Sequence, residues 1–322
     1  MSTLCWLCNQ ETLSKSVQLR SKKEALIQYC GSCHFEFFSH ENKSLLIGDQ
    51  LDKTRLQSAG LDIPKQEKDF ENGYKQSQSY IQEYLTKEDI GKNILEIGCS
   101  WGYFLKAVRE FGAVPYGVEI NPVRASYVAE NLNIRCEADI EKYHSSAIKF
   151  KKIFSFYCLE YIKNPIDFFK RLFDLLEDGG EMIFITPNLD DVLKDIWKNK
   201  GYQDFFYDEC AIAYYSSQAV KSLVHVLKKE HDDLKETIYT QQGYSFYNHL
   251  HWYFNQKPIN NNSLVGGDHL SEDLRQVFGA KKDKISLELV KIIDDFDVQY
   301  RKVIEGNDLG NQIIMRIQKN DL

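Results

Sequence analysis

Residues 94–102 read Ile94-Leu95-Glu96-Ile97-Gly98-Cys99-Ser100-Trp101-Gly102. This segment begins as a short apolar strand that ends in an acid, and it continues with two glycines. Large apolar residues then recur at helical spacing, namely Phe104, Leu105, Val108 and Phe111. A buried strand, a glycine turn and a helix packed on the sheet form the first unit of a doubly wound α/β fold. We therefore expect a ligand above Gly98.

The spacing of the glycines indicates which ligand this turn accepts. A dinucleotide fingerprint would place glycines at positions 98, 100 and 103, but the chain has Ser100 and Tyr103. The close approach of a pyrophosphate is therefore lost. The pattern present, Glu-x-Gly-x-x-x-Gly, resembles motif I of the class I S-adenosylmethionine-dependent methyltransferases. This resemblance implies that the backbone around Gly98 and Gly102 passes close to the methionine part of the cofactor, and that Glu96 faces its ammonium group.

Two acids follow in the order that this family has. Residues 114–119 read as a second strand that ends in Glu119, 23 positions after Glu96. A carboxylate at this place can accept hydrogen bonds from both ribose hydroxyls. Asp139 matches the family position that meets the adenine amino group. The resemblance thus implies one acid for the ribose and a second for the base.

The remaining pattern over residues 91–190, together with further strands at 233–240 and 311–317, predicts a Rossmann-like, doubly wound, seven-stranded sheet. The segment Leu159-Glu160-Tyr161-Ile162-Lys163-Asn164-Pro165 is similar to the family's Leu-Glu-His-x-x-x-Pro motif, with Tyr161 in place of the histidine. The other predicted elements are helices at 122–131 and 165–176, strands at 134–137, 152–158 and 182–186, and a turn at Gly179 and Gly180.

The resemblance implies a set of cofactor-binding residues around the glycine loop: Glu96, Gly98, Cys99, Gly102, Glu119, Ile120, Asp139, Tyr157 and Tyr74. Each has a plainer structural alternative. Glu119 can be a solvated strand end, the glycines can serve the turn alone, and Asp139 can cap a helix. We interpret the Cys99 thiol as packing, because a thiol beside a glycine turn is more often a small hydrophobe than a nucleophile.

Two cysteine pairs near the amino terminus have the spacing of a zinc site. Cys5 and Cys8 form the first pair, and Cys30 and Cys33 form the second after 21 residues. Four thiolates satisfy tetrahedral Zn²⁺, and the metal supplies folding energy that a segment of about 40 residues lacks. The alternatives are two disulfides or a redox Cys-x-x-Cys, but neither a signal peptide nor a βαβ pattern accompanies the pairs. His34 and His40 are spare ligands at best.

The composition fits a cytoplasmic enzyme. The chain has 322 residues, of which 43% are hydrophobic, enough for one sizeable core and a satellite module. The four remaining cysteines are scattered, as expected of reduced thiols. No apolar run reaches membrane-spanning length. A formal net charge of −7 disfavours a large nucleic-acid footprint.

We predict three units along the chain. Residues 1–40 form the zinc ribbon, 41–90 a linker and a helix that covers the cofactor and carries Tyr74 and Tyr80, and 91–322 the methyltransferase domain. Insertions at about 189–215 and 241–283 provide the substrate side, as a carboxy-terminal cap. An amphipathic helix at 284–305 and a last, antiparallel strand at 311–317 close the domain.

The acceptor is expected beyond the carboxyl ends of strands four and five, near Tyr157 and Glu160. Methyl transfer requires a nucleophile held in line with the sulfonium methyl group, and a base if the acceptor is a hydroxyl or a carbon. In sugar C-methyltransferases, which also carry an amino-terminal zinc module, a Tyr-His-Glu-His segment supplies this base. The nearest match here is Tyr207-Asp208-Glu209-Cys210, which keeps Tyr207 and Glu209 and loses both histidines. Transfer to oxygen or nitrogen is therefore at least as well supported as transfer to carbon.

A second resemblance concerns the segment Gly243-Tyr244-Ser245-Phe246-Tyr247-Asn248-His249-Leu250-His251-Trp252. It is similar to a Tyr-Ser-Leu-x-Asn-His-Leu-x-Trp segment of methyltransferases encoded with bacterial surface-polysaccharide and flagellin-glycan genes. The resemblance makes Asn248 and His249 candidates to face the acceptor, with His249 as the base because imidazole titrates near neutrality. The alternative is a histidine satisfied within an aromatic cluster.

These features predict S-adenosylmethionine-dependent methyl transfer to a small acceptor, a sugar or nucleotide sugar, in surface-glycan or secondary-metabolite biosynthesis. Catalytic candidates are His249, Tyr207, Glu209 and Tyr157, and the cofactors are S-adenosylmethionine and structural Zn²⁺. One alternative is a methyltransferase of ribosomal RNA with a zinc-finger substrate module, although residues 1–40 are not strongly basic. Another is a non-catalytic scaffold whose zinc ribbon binds a partner. The sequence sets no oligomeric state.

Overall fold

The computed structural model describes residues 3–38, 66–231, 234–258 and 283–320. Within these ranges the chain forms two sheets and the helices that cover them. Most of the predicted linker, together with His40, lies outside the described residues, as does the part of the second insertion between residues 259 and 282.

The larger sheet is an open α/β sheet of seven strands and confirms the predicted fold class. Its strands are β4 (Asn93–Ile97), β5 (Val114–Val118), β6 (Cys136–Glu137), β7 (Phe150–Phe156), β8 (Leu176–Pro187), β10 (Lys235–Gln241) and β11 (Gln312–Gln318). They lie in the order β10-β11-β8-β7-β4-β5-β6, with β11 antiparallel to both of its neighbours.

Helices cover the faces of this sheet and follow the sequence prediction closely. The terminal helix has the span that was predicted from the helical period of its apolar residues. The helices are α1 (Gln66–Tyr84), α2 (Tyr103–Phe111), α3 (Pro122–Glu130), α4 (Glu141–His144), α5 (Pro165–Leu175), α6 (Val192–Asp195), α7 (Lys200–Phe206), α8 (Ser217–Leu227), α9 (Phe246–Asn255) and α10 (Lys284–Glu305). Among the described residues, none of these helices combines the length and the apolar character that a membrane crossing requires.

The prediction of a turn at Gly179 and Gly180 is wrong. Both glycines lie inside β8, which runs unbroken from Leu176 to Pro187. The register with β7 shifts between Phe150 and Lys152, so the extra residues are absorbed as an irregularity of the ladder. Gly179 has a φ of +67°, a conformation that glycine adopts without steric cost.

The smaller sheet contains the cysteine-rich amino terminus. Its order is β1 (Leu13–Gln18), β2 (Glu24–Cys30), β3 (Phe35–Phe37) and β9 (Ala213–Tyr215), and all pairs are antiparallel. The fourth strand therefore comes from the first predicted insertion, about 180 residues further along the chain. The unit boundaries remain a prediction, but this shared sheet joins the amino-terminal unit to the large domain.

Candidate functional site

The candidate site lies where the order of the large sheet reverses. Strands β4 and β7 are neighbours, and the chain leaves β4 toward β5 on one side and β7 toward β8 on the other. In open α/β sheets, ligands bind at this switch point, outside the carboxyl ends of the strands. The two loops that meet here begin at Gly98 and Tyr157.

The glycines of the first loop are required by its backbone. Gly98 and Gly102 both have a φ of +76°, a backbone conformation that residues other than glycine rarely adopt. A Cβ at Gly98 would lie 3.0 Å from Cys158 Sγ. A Cβ at Gly102 would lie 2.8 Å from Leu132 Cδ1 and 2.9 Å from Val128 Cγ2. Because these two residues have no side chains, the loop can pack closely against Cys158, Leu132 and Val128.

Glu96, the acid that precedes the loop, is buried and incompletely satisfied. Its side chain is 3% exposed, and among the described residues its Oε2 atom has no hydrogen-bond partner. Burial, and next the nearby Glu119 carboxylate, raise the pKa of Glu96 well above its usual range. A buried carboxylate oxygen without a donor is costly and suits a cationic ligand group. The ammonium group that the family resemblance implies fits this requirement.

Glu119 holds the loop in place. Its Oε2 accepts a hydrogen bond from the Ser100 amide at 2.8 Å, and its Oε1 accepts from the Asn121 amide at 2.7 Å. Arg124 donates to the Ser100 hydroxyl at 3.0 Å. Glu119 thus ties the end of β5 to the glycine loop. Sequence reasoning missed Ser100, whose φ of +50° marks it as part of the loop geometry.

The other predicted cofactor residues at this edge have different environments. Ile120 is 53% exposed, directly after Glu119. Asp139 is exposed, and its Oδ1 accepts a hydrogen bond from the Glu141 amide at 3.1 Å, which forms an Asx turn directly before α4. Cys99 is fully buried, with its Sγ 3.6 Å from Cys136 Sγ, as expected of a packing thiol.

Tyr157 lies at the end of β7, opposite the glycine loop. Its φ is +52°, a strained conformation for an aromatic residue, and its hydroxyl donates to Gln312 Oε1 on β11. Burial raises the pKa of Tyr157 well above its usual range. Tyr80 on α1 stacks on Phe156 with ring centroids 4.4 Å apart. Helix α1 therefore packs against the carboxyl end of β7.

Tyr74, the other tyrosine predicted on this helix, contacts α2. Its hydroxyl donates to the Glu110 carboxylate, and the Lys106 ammonium lies 4.6 Å from the centre of its ring. Of the two tyrosines, Tyr80 is therefore the one that packs beside Tyr157. Tyr74 instead connects α1 to α2.

Two of the four catalytic candidates, Tyr207 and Glu209, contact the amino-terminal unit. The Tyr207 hydroxyl donates to Glu36 Oε2 at 2.8 Å, and Glu209 Oε1 accepts from the Ser21 amide at 2.9 Å. Burial is the main cause that raises the pKa of the Tyr207 hydroxyl far above its usual range. These contacts link the first insertion to β3 and to the turn between β1 and β2.

His249, the third candidate, lies fully buried on α9 within a hydrogen-bond network. Gln242 Oε1 accepts from the Asn311 amide at 3.2 Å, which leaves its Nε2 to donate to His249 Nε2 at 3.2 Å. Nδ1 is then the protonated nitrogen and donates to the Tyr300 hydroxyl at 2.5 Å. Burial, followed by the charge of Arg301, lowers the pKa of His249 to about 3. The imidazole is therefore neutral and satisfied on both sides.

The four amino-terminal cysteines come together in one cluster. Their Sγ atoms all lie within 4.8 Å of one another. Cys5 and Cys33 are 3.5 Å apart, Cys8 and Cys30 are 3.4 Å apart, and Cys8 and Cys33 are 3.7 Å apart. Four thiolates on a tetrahedral ion at a Zn–S distance of about 2.3 Å would be separated by roughly 3.8 Å. The cluster thus fits a four-sulfur metal site. Among the described residues, it is the group of His, Cys, Asp or Glu side chains that lie close enough together to hold a metal ion.

Comparisons with known proteins agree with this architecture. Residues 70–226 match the model of a family described as a methyltransferase domain. A ubiquinone biosynthesis O-methyltransferase of Coxiella burnetii (strain RSA 493 / Nine Mile phase I) is 29% identical over 116 residues, which cover 34% of this chain and 48% of that protein. The chain therefore spans about half the length of the curated relatives it matches. The family match overlaps residues 91–190, over which the sequence resembles a methyltransferase.

Two methyltransferases are among the solved structures to which the chain is similar. The plantazolicin methyltransferase BamL, solved with a triazolic desmethylPZN analog and SAH, is 16% identical, with a TM-score of 0.46, and the match covers 84% of this chain and 97% of that one. A SAM-dependent methyltransferase from Archaeoglobus fulgidus is 15% identical, with a TM-score of 0.47 and coverages of 79% and 97%.

Proposed function

We propose that this chain transfers the methyl group of S-adenosylmethionine to a small acceptor at the carboxyl edge of the large sheet. The observation that carries the proposal is the buried Oε2 atom of Glu96, which has no partner among the described residues and lies at the start of the glycine loop. An ammonium group at this position would satisfy the carboxylate and favour its ionised form. Glu119 would accept hydrogen bonds from the ribose hydroxyls.

When bound, S-adenosylmethionine supplies an electrophilic methyl group, so the protein must mainly position the acceptor and exclude water. We propose that helix α1 and Tyr157 bound the acceptor site on one side, and that the insertion after β8 and the segment that carries His249 bound it on the other. We propose that His249 orients this network rather than takes a proton, because an imidazole with a pKa of about 3 is a weak base at neutral pH. We propose that Glu160, a buried carboxylate that accepts a hydrogen bond from the Thr186 hydroxyl at 3.2 Å, is the base for a hydroxyl acceptor.

The acceptor that we propose is a sugar or nucleotide sugar. The support is the resemblance of residues 243–252 to the segment of surface-glycan methyltransferases. Transfer to oxygen or nitrogen is favoured over transfer to carbon, because Tyr207 and Glu209 are occupied by the amino-terminal unit.

For the four-cysteine cluster we propose one structural Zn²⁺ ion, held by Cys5, Cys8, Cys30 and Cys33. Four thiolates complete the coordination of zinc and leave no position for water or substrate. The Leu7 amide donates to Cys5 Sγ at 3.4 Å, an interaction that stabilises a thiolate. The metal would therefore contribute to folding and not to methyl transfer.

Calorimetric titration with S-adenosylhomocysteine tests the proposed function. Wild-type protein should bind it, and Glu96→Gln should bind it at least about tenfold more weakly, because a hydrogen bond to a charged group contributes about 1.5–3 kcal/mol. Glu130→Gln, on the exposed end of α3, is the matched control and should bind like wild type. Absence of binding to wild-type protein would favour a non-catalytic scaffold, and salt-sensitive retention of RNA would favour a ribosomal RNA substrate.

A further inference from the structure

The amino-terminal unit and the first insertion share one sheet. Strand β3 pairs antiparallel with β9, with Phe35 opposite Tyr215 and Phe37 opposite Ala213. Cys33, one of the four clustered cysteines, precedes β3 by two residues, and Cys30 ends β2. The backbone that holds the thiol cluster is therefore continuous with a hydrogen-bonded ladder to residues 213–215.

A second attachment joins the turn between β1 and β2 to residues 204–209. The Arg20 amide donates to the Tyr207 carbonyl at 2.9 Å. The Arg20 guanidinium lies 4.0 Å from the centre of the Phe205 ring and 3.5 Å from Asp208 Oδ2. The Ser21 amide contact with Glu209 lies beside it. Backbone and charged contacts thus fix the end of α7 on the ribbon.

A buried charge lies between the two attachments. Glu36 on β3 is 2% exposed, and its carboxylate accepts from the Tyr207 hydroxyl and forms an ion pair with Lys15 on β1. Removing one partner of a buried charge leaves the other uncompensated, which is strongly destabilising. The contact between ribbon and insertion is therefore specific, and it holds only while β1, β3 and residue 207 keep their relative positions.

A third attachment reaches the carboxyl end of β8. The Ser216 hydroxyl donates to the His34 carbonyl at 2.7 Å, and His34 Nδ1 lies 3.2 Å from Asp190 Oδ1. The Leu189 amide donates to the Tyr215 carbonyl at 2.7 Å. Residues 188–190 follow β8 directly, at the edge where we place the acceptor. The ribbon consequently contacts this edge as well as the remote end of the insertion.

The cofactor loop is anchored differently. The Gly98 and Cys99 amides donate to the Val118 carbonyl at 2.8 and 3.1 Å, and the Ser100 amide donates to Glu119. These anchors belong to β5 and the residues directly after it, on the opposite side of β4 from β7 and β8. A change in the ribbon can therefore alter the acceptor side while these anchors are kept.

We propose that the metal-loaded ribbon is the support of the acceptor-side segment, residues 188–216, so that metal loading controls acceptor binding while cofactor binding persists. This inference rests on the proposed function for the position of the acceptor. Its physical basis is that metal-binding free energy is folding free energy in a small module. When β1–β3 are folded, the shared sheet and the contacts of Glu36 keep residues 204–216 ordered. Glu36, with Tyr207, is a positioning residue.

Hydrogen exchange of the full chain, with Zn²⁺ and after chelation, tests this proposal. Metal removal should accelerate exchange in peptides over residues 204–216 by at least about tenfold and leave peptides over 93–105 unchanged. Affinity for S-adenosylhomocysteine, measured in parallel, should stay within about twofold. Unchanged exchange at 204–216 would overturn the proposal, and so would simultaneous loss of protection at 93–105 with loss of cofactor binding. Failure of the wild-type protein to bind S-adenosylhomocysteine at all would instead contradict the proposed function.

Variants in the zinc-loaded protein provide an independent measurement. Glu36→Gln should accelerate exchange at residues 204–216 at an unchanged zinc content, because it removes the buried charge and leaves the cysteines intact. Glu24→Gln, on the exposed surface of β2, is the control and should leave exchange unchanged. Equal protection of residues 204–216 in Glu36→Gln and wild type would contradict the positioning role of Glu36.

Discussion

Glu96, the last but one residue of β4, and Glu119, directly after the neighbouring strand β5, lie beside the same glycine loop, but their carboxylates are satisfied to different degrees. Glu119 accepts hydrogen bonds from the amides of Ser100 and Asn121, whereas Glu96 Oε2 has no partner among the described residues. Because the two charges also repel, the pKa of Glu96 is raised further. One acid thus organises the loop, and the other is left for a cation. This difference is the basis of the first prediction.

Cofactor binding should release a proton from Glu96. Because its pKa is raised, the Glu96 carboxyl of the free protein stays protonated at pH values at which an ordinary glutamate is ionised. A bound ammonium group would lower this pKa again. Calorimetry at neutral pH in two buffers of different ionisation enthalpy measures the number of protons released. We expect net release in wild type and its loss in Glu96→Gln. Equal release by both proteins would assign the proton to another group.

The same shift predicts the pH dependence of stability. A group whose pKa is higher in the folded than in the unfolded state favours folding below its unfolded value, about 4.3 for glutamate, and this contribution is lost as pH rises toward the folded pKa. Denaturation of the ligand-free protein from pH 5 to 8 should therefore show a decline in unfolding free energy that Glu96→Gln reduces. A decline of the same size in both proteins would contradict the assignment.

Gly102→Ala should destabilise the protein more than Gly91→Ala. Both glycines have positive φ, +76° and +74°, so each substitution incurs a similar backbone cost of about 1–2 kcal/mol. A Cβ at position 91 meets nothing within 4 Å, whereas at position 102 it would press on Leu132 and Val128. Overpacking should add about 1–3 kcal/mol at position 102. Urea denaturation measures both, and equal losses would show that the loop has room.

The pKa of His249 predicts acid sensitivity. A histidine with a pKa of about 3 in the folded state and an ordinary value in the unfolded chain stabilises the fold above pH 6.5, and this contribution is lost as pH falls toward the folded pKa. His249→Gln should therefore show a smaller loss of stability between pH 7 and 5 than wild type. His225→Gln, on the exposed face of α8, is the control. Identical pH profiles for wild type and His249→Gln would exclude a buried neutral imidazole.

Loss of one clustered cysteine should remove the metal. Cys8→Ser should lower zinc content well below the one equivalent expected for a four-sulfur site and lower the melting temperature. Cys210→Ser alters a buried cysteine outside the cluster and should keep full zinc content. Metal analysis of the purified proteins provides the check. Wild-type protein that is free of zinc and fully stable would refute the metal assignment.

The sequence predicts the parts of the fold that depend on local pattern. The strand and glycines at residues 94–102 are recognisable because each residue type is required by the local backbone, as the φ values of Gly98 and Gly102 show. The clustering of the cysteines follows from their spacing. The last helix was predictable from its helical period.

Contacts between distant segments were not predictable in this way. The pairing of Phe35–Phe37 with Ala213–Tyr215 joins segments with no shared pattern. The partners of His249, Gln242 and Tyr300, come from different elements, so its lowered pKa depends on tertiary burial. The glycine pair at 179 and 180 has the composition of a turn, but hydrogen bonds from the Gly179 amide to the Asn320 carbonyl and from the Lys319 amide to the Gly180 carbonyl extend the pairing of β8 and override that preference.

A crystal structure of the protein with S-adenosylhomocysteine tests the central claim most directly. The account predicts the ligand above Gly98, with its amino group within hydrogen-bonding distance of Glu96 Oε2 and its ribose hydroxyls at Glu119. A ligand bound elsewhere, or a loop that remains empty at saturating concentration, would contradict the proposed site.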